Sequence, residues 1–309
     1  MNKIIEVSSL SKSFGKVQAV KDISFYVEEG SLFSFLGTNG AGKSTTISIL
    51  LTLLKQDTGE VKVNGYTVGK QDDKIRQEIG VVFQDSLLDP LLTVKENLTI
   101  RGSFYGMSKK DKKTAIERVT ILTDLHSFIN RPYGKLSGGE RRRTDIARAL
   151  IHNPSILIMD EPTTGLDAQS RKNIWNTILE LQRETKMTVF LTTHYIEEAA
   201  NSDYVVVMKK GEIVGKGTPH QLKSDYASDN LLLTPNDHVE MRRILAEEKF
   251  DYIEEKSIFR LPLPDTKSAI PILIKHADAI TSFEVRKSSL DDVFIAINGK
   301  DVGSDDRLY

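Results

Sequence analysis

The chain has 309 residues, 39% of them hydrophobic, a formal net charge of −1 and no cysteine. Such a length buries a sizeable core and suggests about two domains. The near-neutral charge argues against a nucleic-acid partner, and the lack of thiols excludes disulfides and thiolate chemistry while fitting a cytosolic protein. No apolar run approaches the roughly 18 residues of a membrane span, and Asn2-Lys3-Ile4-Ile5-Glu6 lacks the apolar core of a signal peptide.

From Ile4 to Val27 the pattern predicts short strands separated by turns, with Ile23, Phe25 and Val27 alternating. Within it Ser13-Phe14-Gly15-Lys16 sets an aromatic in a polar turn, which composition alone reads as an ordinary loop aromatic. Ser31 to Leu36 is an apolar strand that runs into Gly37-Thr38-Asn39-Gly40-Ala41-Gly42-Lys43-Ser44-Thr45. A helix pattern with Ile47, Leu50, Leu51 and Leu54 follows. This is a phosphate-binding loop in its expected setting. Glycines let backbone N–H groups curl toward phosphate oxygens, and the helix aims its positive end at the same place. Lys43 can reach the β- and γ-phosphates, and the Ser44 hydroxyl can ligate magnesium.

Val61 and Val63 with Asn64-Gly65 predict a strand and a turn, and Ile79 to Phe83 is a short apolar run ending at Gln84. From Thr93 to Ala149 the character is helical, with a lysine cluster, Lys109-Lys110-Asp111-Lys112-Lys113, at a helix start. A solvated face is the simplest reading of that cluster, ahead of contact with a membrane surface or an acidic partner. Leu136-Ser137-Gly138-Gly139-Glu140 interrupts the helices and opens a new one, a second place where backbone amides could face an anion. Alone it is a weak signal, and a simple helix start is the better reading.

Ser155 to Met159 is a continuous apolar run ending in Asp160-Glu161, as expected of a parallel strand buried on both faces, with its acids at the end where open α/β sheets bind ligands. Pro162 ends the strand, Thr164-Gly165-Leu166-Asp167 forms a turn, and a helix runs from Lys172 to Leu181. Met187 to Thr193 is the next buried strand, followed directly by His194. The other histidines, His126, His152, His220, His238 and His276, show no metal-ligand spacing. Val205 to Met208 and Ile213-Val214 flank Lys210-Gly211 as a closing hairpin, and Gly217-Thr218-Pro219 marks a boundary.

Beyond about Leu222 the order is strand (Leu231–Leu233), helix (Asp237–Glu248), strands (Phe250–Ile253 and Ile258–Leu263), helix (Thr266–His276), strand (Ile280–Val285). This predicts a small two-layer βαββαβ domain. A last helix carries Leu290, Val293, Phe294 and Ile297 on one face, Ser289 and Asp292 set for a capping box, and Gly299 past its end. From Leu222 onward 17 acids face 12 bases, which again argues against nucleic acid.

Taken together, Phe14, the loop from Gly37 to Thr45, Gln84, Leu136 to Glu140, Ile156 to Glu161, Thr164 to Asp167 and His194 resemble the ATP-binding cassette ATPases over about the first 220 residues. The resemblance implies an α/β fold: a RecA-like core with antiparallel β and helical subdomains in residues 1–222, the helical part at about 85–150. A small α+β accessory or dimerisation domain, 223–309, follows. It implies that Phe14 stacks on adenine, that Gly37, Thr38, Asn39, Gly40, Ala41, Gly42, Lys43, Ser44 and Thr45 hold the phosphates, and that Ser44, Gln84 and Asp160 hold Mg2+. Glu161 then polarises the attacking water and His194 contacts the γ-phosphate. Ser137, Gly138, Gly139 and Glu140 close over ATP held by a second ATP-binding subunit, and Asp167 communicates across that interface.

Thr38, Glu140 and Thr164-Gly165 depart from the commonest family residues without removing a catalytic group. Arg141-Arg142-Arg143 and Ser289-Leu290-Asp291-Asp292-Val293-Phe294 look like the drug-exporting branch related to daunorubicin-resistance transporters. In that branch the integral-membrane permease is a separate polypeptide, so a peripheral position on the cytoplasmic face of the membrane is expected. A soluble cassette ATPase acting on a non-membrane partner is the alternative, and a binding module that senses ATP without turning it over is disfavoured by the intact Glu161 and His194.

Overall fold

Three apolar strands fully buried on both faces set the layout, and two layers of different kind cover them. The computed structural model describes residues 2–298. Chain contacts divide it into residues 1–216 and 217–309, so the expected division after 222 falls four residues beyond the helix start at Pro219, inside the second unit.

The first unit opens with β1 (Lys3–Phe14) and β2 (Val17–Glu28), paired antiparallel. Short strands were expected here. The strands instead run twelve residues each, because bulges absorb the polar interruptions, with register shifts such as Val7 to Leu10 and with Ser9 and Asp22 at positive φ. After β3 (Leu32–Gly37) and α1 (Lys43–Leu50) come β4 (Thr58–Val63) and β5 (Tyr66–Thr67), joined by Asn64-Gly65 with both φ positive. The order β2-β1-β4-β5 makes one sheet.

Next follow α2 (Asp72–Glu78), β6 (Ile79–Val82), α3 (Val94–Phe104), α4 (Lys109–Leu122), α5 (Gly138–Leu150), β7 (Ile156–Asp160), α6 (Ala168–Thr185), β8 (Thr188–Thr193) and α7 (Ile196–Ala199). The hairpin β9 (Tyr204–Lys209) and β10 (Glu212–Gly217) closes the unit. The second sheet has the order β10-β9-β3-β8-β7-β6, parallel from β9 to β6. One face packs on the antiparallel sheet through Phe25, Phe33, Phe35 and Phe190, with Phe33 and Phe190 ring centroids 5.0 Å apart. The other face packs Leu157, Met159, Val189 and Leu191 against α3, α4, α5 and α6.

Strand β6 forms the edge of that sheet, and its outward carbonyls, with that of Phe83 just past it, accept from side chains of α5 and the residues after it. His152 Nε2 donates to Ile79 O at 3.2 Å, Arg148 to Val81 O at 2.5 Å, and Arg142 to Phe83 O at 2.7 Å. An uncovered row of this kind would offer itself to other chains for pairing. Burial, with Arg101, Arg118 and Arg148 near, pushes the His152 pKa down to about 4.

The second unit begins with α8 (Pro219–Tyr226) and continues β11 (Asp229–Pro235), α9 (His238–Glu247), β12 (Ile253–Glu255), β13 (Ile258–Leu263), α10 (Ala269–Lys275), β14 (Ile280–Arg286) and α11 (Leu290–Asn298). Its sheet, β12-β13-β11-β14, is antiparallel throughout, the order expected of a βαββαβ chain. Leu231, Leu233, Phe259 and Leu261 bury one face under Met241, Leu245 and Ile272. Ser289 and Asp292 do form the capping box, with Ser289 N 2.9 Å from Asp292 Oδ2 and Asp292 N 3.1 Å from Ser289 Oγ. Gly299 lies outside the described residues. Helix α11 packs on α8 of the same unit, with Val293 and Phe294 buried.

Two outcomes follow from this packing. Between pH 6.5 and about 4 the unfolded chain binds a proton at residue 152 that the folded chain refuses, so stability falls as pH drops through that window, by up to about 3 kcal/mol. Urea unfolding of wild type and His152→Asn at about pH 7 and pH 5 tests it; equal slopes with pH would disprove it. Phe294→Ala should lower the stability of the second unit by about 3 to 5 kcal/mol. A loss under about 1 kcal/mol in denaturant unfolding would remove Phe294 from the core.

Candidate functional site

Strands β6, β7, β8 and β3 end at one edge because they are parallel and in register: Val82 opposes Met159, Asp160 opposes Thr192, and Leu36 opposes Thr193. The residues at and just past those ends are Gln84, Asp160 with Glu161, His194, and the loop from Gly37. Segments far apart in sequence thus deliver their side chains to the ligand edge of an open α/β sheet.

Two glycines of the loop are sterically required. A Cβ on Gly37 would sit 2.6 Å from Met208 O, and one on Gly42, at φ 103°, 2.4 Å from Ala19 O. Ala41 is buried and bonded through Gly211 N to Ala41 O at 3.0 Å, while Thr38, Asn39 and Gly40 stay exposed. Ser44, exposed, and Thr45, half-buried, lie in the first turn of α1. Lys43 is 5% exposed; its Nζ donates to Gly37 O at 2.7 Å and lies 3.8 Å from Glu161 Oε1. Burial pushes its pKa down, against the pull of Glu161 and Asp160.

Glu161 is held at φ 46°, a left-handed conformation that costs a non-glycine residue roughly 1 kcal/mol. Its amide donates to Thr192 O at 3.2 Å and to Thr192 Oγ1 at 3.1 Å, and the Thr192 hydroxyl donates in turn to Asp160 Oδ1 at 2.5 Å. The Thr164 hydroxyl donates to Glu161 Oε2 at 3.1 Å. His194 Nδ1 is 3.3 Å from the same oxygen but not aligned as a hydrogen bond. Gln84, two residues past the end of β6, is exposed, its carbonyl accepting from Arg142 at 3.1 Å.

A second group forms around the glycine pair. Ser137 caps α5 in a reciprocal box with Glu140, whose carboxylate also meets Arg131 at 2.8 Å. Added Cβ atoms on Gly138 and Gly139 would meet Leu166 at 3.0 Å and Ser170 Oγ at 3.1 Å, so this helix start sits on the turn that carries Asp167. Asp167 caps α6, accepting from Ser170 N at 2.9 Å, and the Ser170 hydroxyl and amide hold its carboxyl below the usual range. Phe14, 52% exposed, ends β1, with Lys12 Nζ 5.7 Å from its ring centre. The hairpin continues into β2, whose Ala19 abuts Gly42.

One residue of this constellation has no motif of its own. Glu198 on α7 is 3% exposed and accepts from the Thr163 and Thr193 hydroxyls, the latter at 2.7 Å. It ties the segment after Glu161 to the one before His194. The available signal is the set of threonines at two strand ends with an acid four residues past His194; the apolar pattern of the strands hides it.

The ABC transporter family profile matches residues 20–164, and the profile of the ATP-binding protein DrrA1-3-like C-terminal domain matches 217–297. The linearmycin resistance ATP-binding protein LnrL of Bacillus subtilis is 34% identical over 96% of this chain and 99% of its own. The daunorubicin/doxorubicin resistance ATP-binding protein DrrA of Streptomyces peucetius is 36% identical, covering 99% and 94%. This chain belongs to the ABC transporter ATP-binding proteins. The family binds ATP and hydrolyses it to drive transport. A Nod factor export ATP-binding protein I of Rhizobium sp. is 35% identical over 98% of this chain and 99% of its own. Among solved structures, cbiO1 of Clostridium perfringens, part of an ABC transporter complex, superposes with a TM-score of 0.68 at 26% identity over 80% of this chain and 96% of its own. The ATP-binding cassette MJ0796, a dimer bound to ADP and Pi, gives 0.62 at 31% identity over 69% and 98%. The expected ABC ATPase fold with a C-terminal domain is the observed one.

Truncating Glu198 to alanine strands two buried hydroxyls, so Glu198→Ala should cost about 2 to 4 kcal/mol in denaturant unfolding. Glu198→Gln, which keeps hydrogen-bonding atoms in place, should lose less than half of that. Equal losses would show that the carboxylate charge, which only the native residue carries, sets the residue's worth rather than hydrogen-bonding atoms held in place.

Proposed function

We propose that this chain is the ATP-hydrolysing subunit of an exporter, peripheral on the cytoplasmic face of a membrane and working with integral-membrane permease subunits and a second ATP-binding subunit. Among the described residues no helix is long and apolar enough to cross a membrane, so the transport path belongs to another polypeptide on this reading. The names of the relatives, resistance and export, support the direction of transport. The observation that carries the chemistry is Glu161 at the sheet edge, 3.8 Å from Lys43 and 3.3 Å from His194.

In the proposed reaction the loop amides from Thr38 to Thr45 and Lys43 bind the phosphates, with Lys43 exchanging its bonds to the Gly37 and Thr38 carbonyls for phosphate oxygens. Phe14 stacks on adenine. Glu161 accepts a hydrogen bond from the attacking water and so polarises it, and His194 donates to the γ-phosphate. Ser44, Asp160 and Gln84 offer oxygen donors only, which suits Mg2+. Thr192 fixes Asp160 Oδ1 and leaves Oδ2 without a protein donor among the described residues. Magnesium, when bound there, neutralises phosphate charge. Ser137, Gly138, Gly139 and Glu140 act on the ATP of the second subunit, and Asp167 lies where the two would meet.

Glu161→Gln keeps the shape but loses the charge that polarises water, so turnover should fall on the order of 100-fold or more while ATP still binds. Light scattering with ATP should then find a dimer, and adding Ser137→Arg should return it to monomer without weakening ATP binding. Wild-type turnover in Glu161→Gln would end the assignment of that residue; an ATP-bound monomer would end the pairing.

A further inference from the structure

We propose that Arg142 and Asp145 are positioning residues for ATP turnover, a buried clamp that fastens the helix opened by Ser137-Gly138-Gly139-Glu140 to the segment carrying Gln84. Both side chains are nearly inaccessible, Arg142 at 7% and Asp145 at 5%. Arg142 donates to the carbonyls of two successive residues, Phe83 O at 2.7 Å and Gln84 O at 3.1 Å. Asp145, one turn further along the same helix, accepts from the Ser86 hydroxyl at 2.7 Å. The backbone of Gln84 is therefore gripped on both sides by a single helix face. Asp145 also accepts from the Tyr133 hydroxyl at 3.2 Å, which ties in the residues just before Leu136.

Stability alone gives little reason for this arrangement. Burying a guanidinium and a carboxylate carries a desolvation penalty that well-packed apolar side chains avoid, and such replacements are often neutral or stabilising. Apolar packing cannot, however, set two carbonyls and a hydroxyl at hydrogen-bond distance. The planar guanidinium fork suits neighbouring acceptors in a way that an ammonium does not. The clamp makes the position of the exposed Gln84 side chain follow the first turns of α5. A shift of the glycine-pair end of that helix on pairing would thus reach the phosphate edge through Arg142 and Asp145. The role rests on the proposed reading of Gln84 as a group that holds Mg2+ or water at that edge.

The test is a double-mutant cycle on the ATPase rate of the full chain, with Mg2+ titrated at saturating ATP. Arg142→Gln is expected to lower kcat roughly 10- to 100-fold, the usual size for a lost supporting contact, with KM for ATP little changed and more Mg2+ needed for half-maximal rate. Arg142→Lys should recover part of the rate. Gln84→Ala should also slow turnover, and the double variant should be no slower than Gln84→Ala alone, because the clamp then has no side chain to position. Effects that multiply, or a loss of thermal stability at unchanged kcat, would overturn the clamp. Should Arg142→Gln not fold, Ser86→Ala, which removes one hydroxyl from an exposed loop, replaces it in the cycle, with a few-fold effect expected and the same two outcomes decisive. Wild-type turnover in Gln84→Ala would instead sink the reading of Gln84, and the clamp's role with it, even if Arg142→Gln were slow.

Discussion

The register of β7 is the constraint on which the rest of the site depends. Ile156 and Ile158 fill the cluster shared with the antiparallel sheet, while Leu157 and Met159 fill the helical side, and all four are fully buried. In a strand dry on both faces, a slip of one residue could still find apolar partners for most side chains. What forbids it is the end of the run. Sliding inward would carry the Asp160 carboxylate into the core, where an unpaired charge costs several kcal/mol, and sliding outward would expose Met159 at the edge. The acids therefore mark where the core stops, and β6, β8 and β3, in parallel register with β7, bring Gln84, His194 and the loop to the same line.

The electrostatics at that line explain the hydroxyls around it. Asp160, Glu161 and Glu198 crowd two strand ends, and among the described residues Lys43, 3.8 Å from Glu161, is the lysine that faces them. Lys43 is itself disfavoured as a cation by burial. Threonines at 163, 164, 192 and 193 donate to these carboxylates and so fix their orientation without adding net charge. A lysine or arginine in their place would pair with the acids and take them from the ligand. Neutral donors fix the geometry and leave the charge for use.

This division also decides what is legible in the sequence. The phosphate loop, the acid pair after an apolar run, and the βαββαβ order of the second unit can be read because each is a local pattern: glycine spacing, periodicity, or strands and helices in turn. The capping box of Ser289 and Asp292 is local in the same sense. Glu198 and Arg142 are not, since Glu198 reaches Thr163 and Arg142 reaches Phe83, 35 and 59 residues away in the chain, through a hydroxyl and a backbone carbonyl that leave no mark in composition. The long β1 and β2 read as short strands in the sequence for a related reason. A bulge inserts one residue and reverses the apolar alternation after it, so a continuous strand looks like two.

Glu140 shows how a departure from the commonest family residue is absorbed locally. At the third position of α5 its carboxylate accepts from Ser137 N and favours the helix dipole, a gain of about 0.3 to 1 kcal/mol that an amide would not match. In the proposed pairing the same charge would face phosphates held by the second subunit and repel them. Arg131, 2.8 Å away, answers that charge, and it also donates to Lys135 O at 3.0 Å, which keeps it beside the helix start. The half-buried carboxylate is thus neutralised in place, and the exposed Gly138 remains presented outward. The cost of the acid is borne by Arg131, so the two residues are coupled: with Arg131 removed, Glu140 would oppose the very anion that this helix start is proposed to receive.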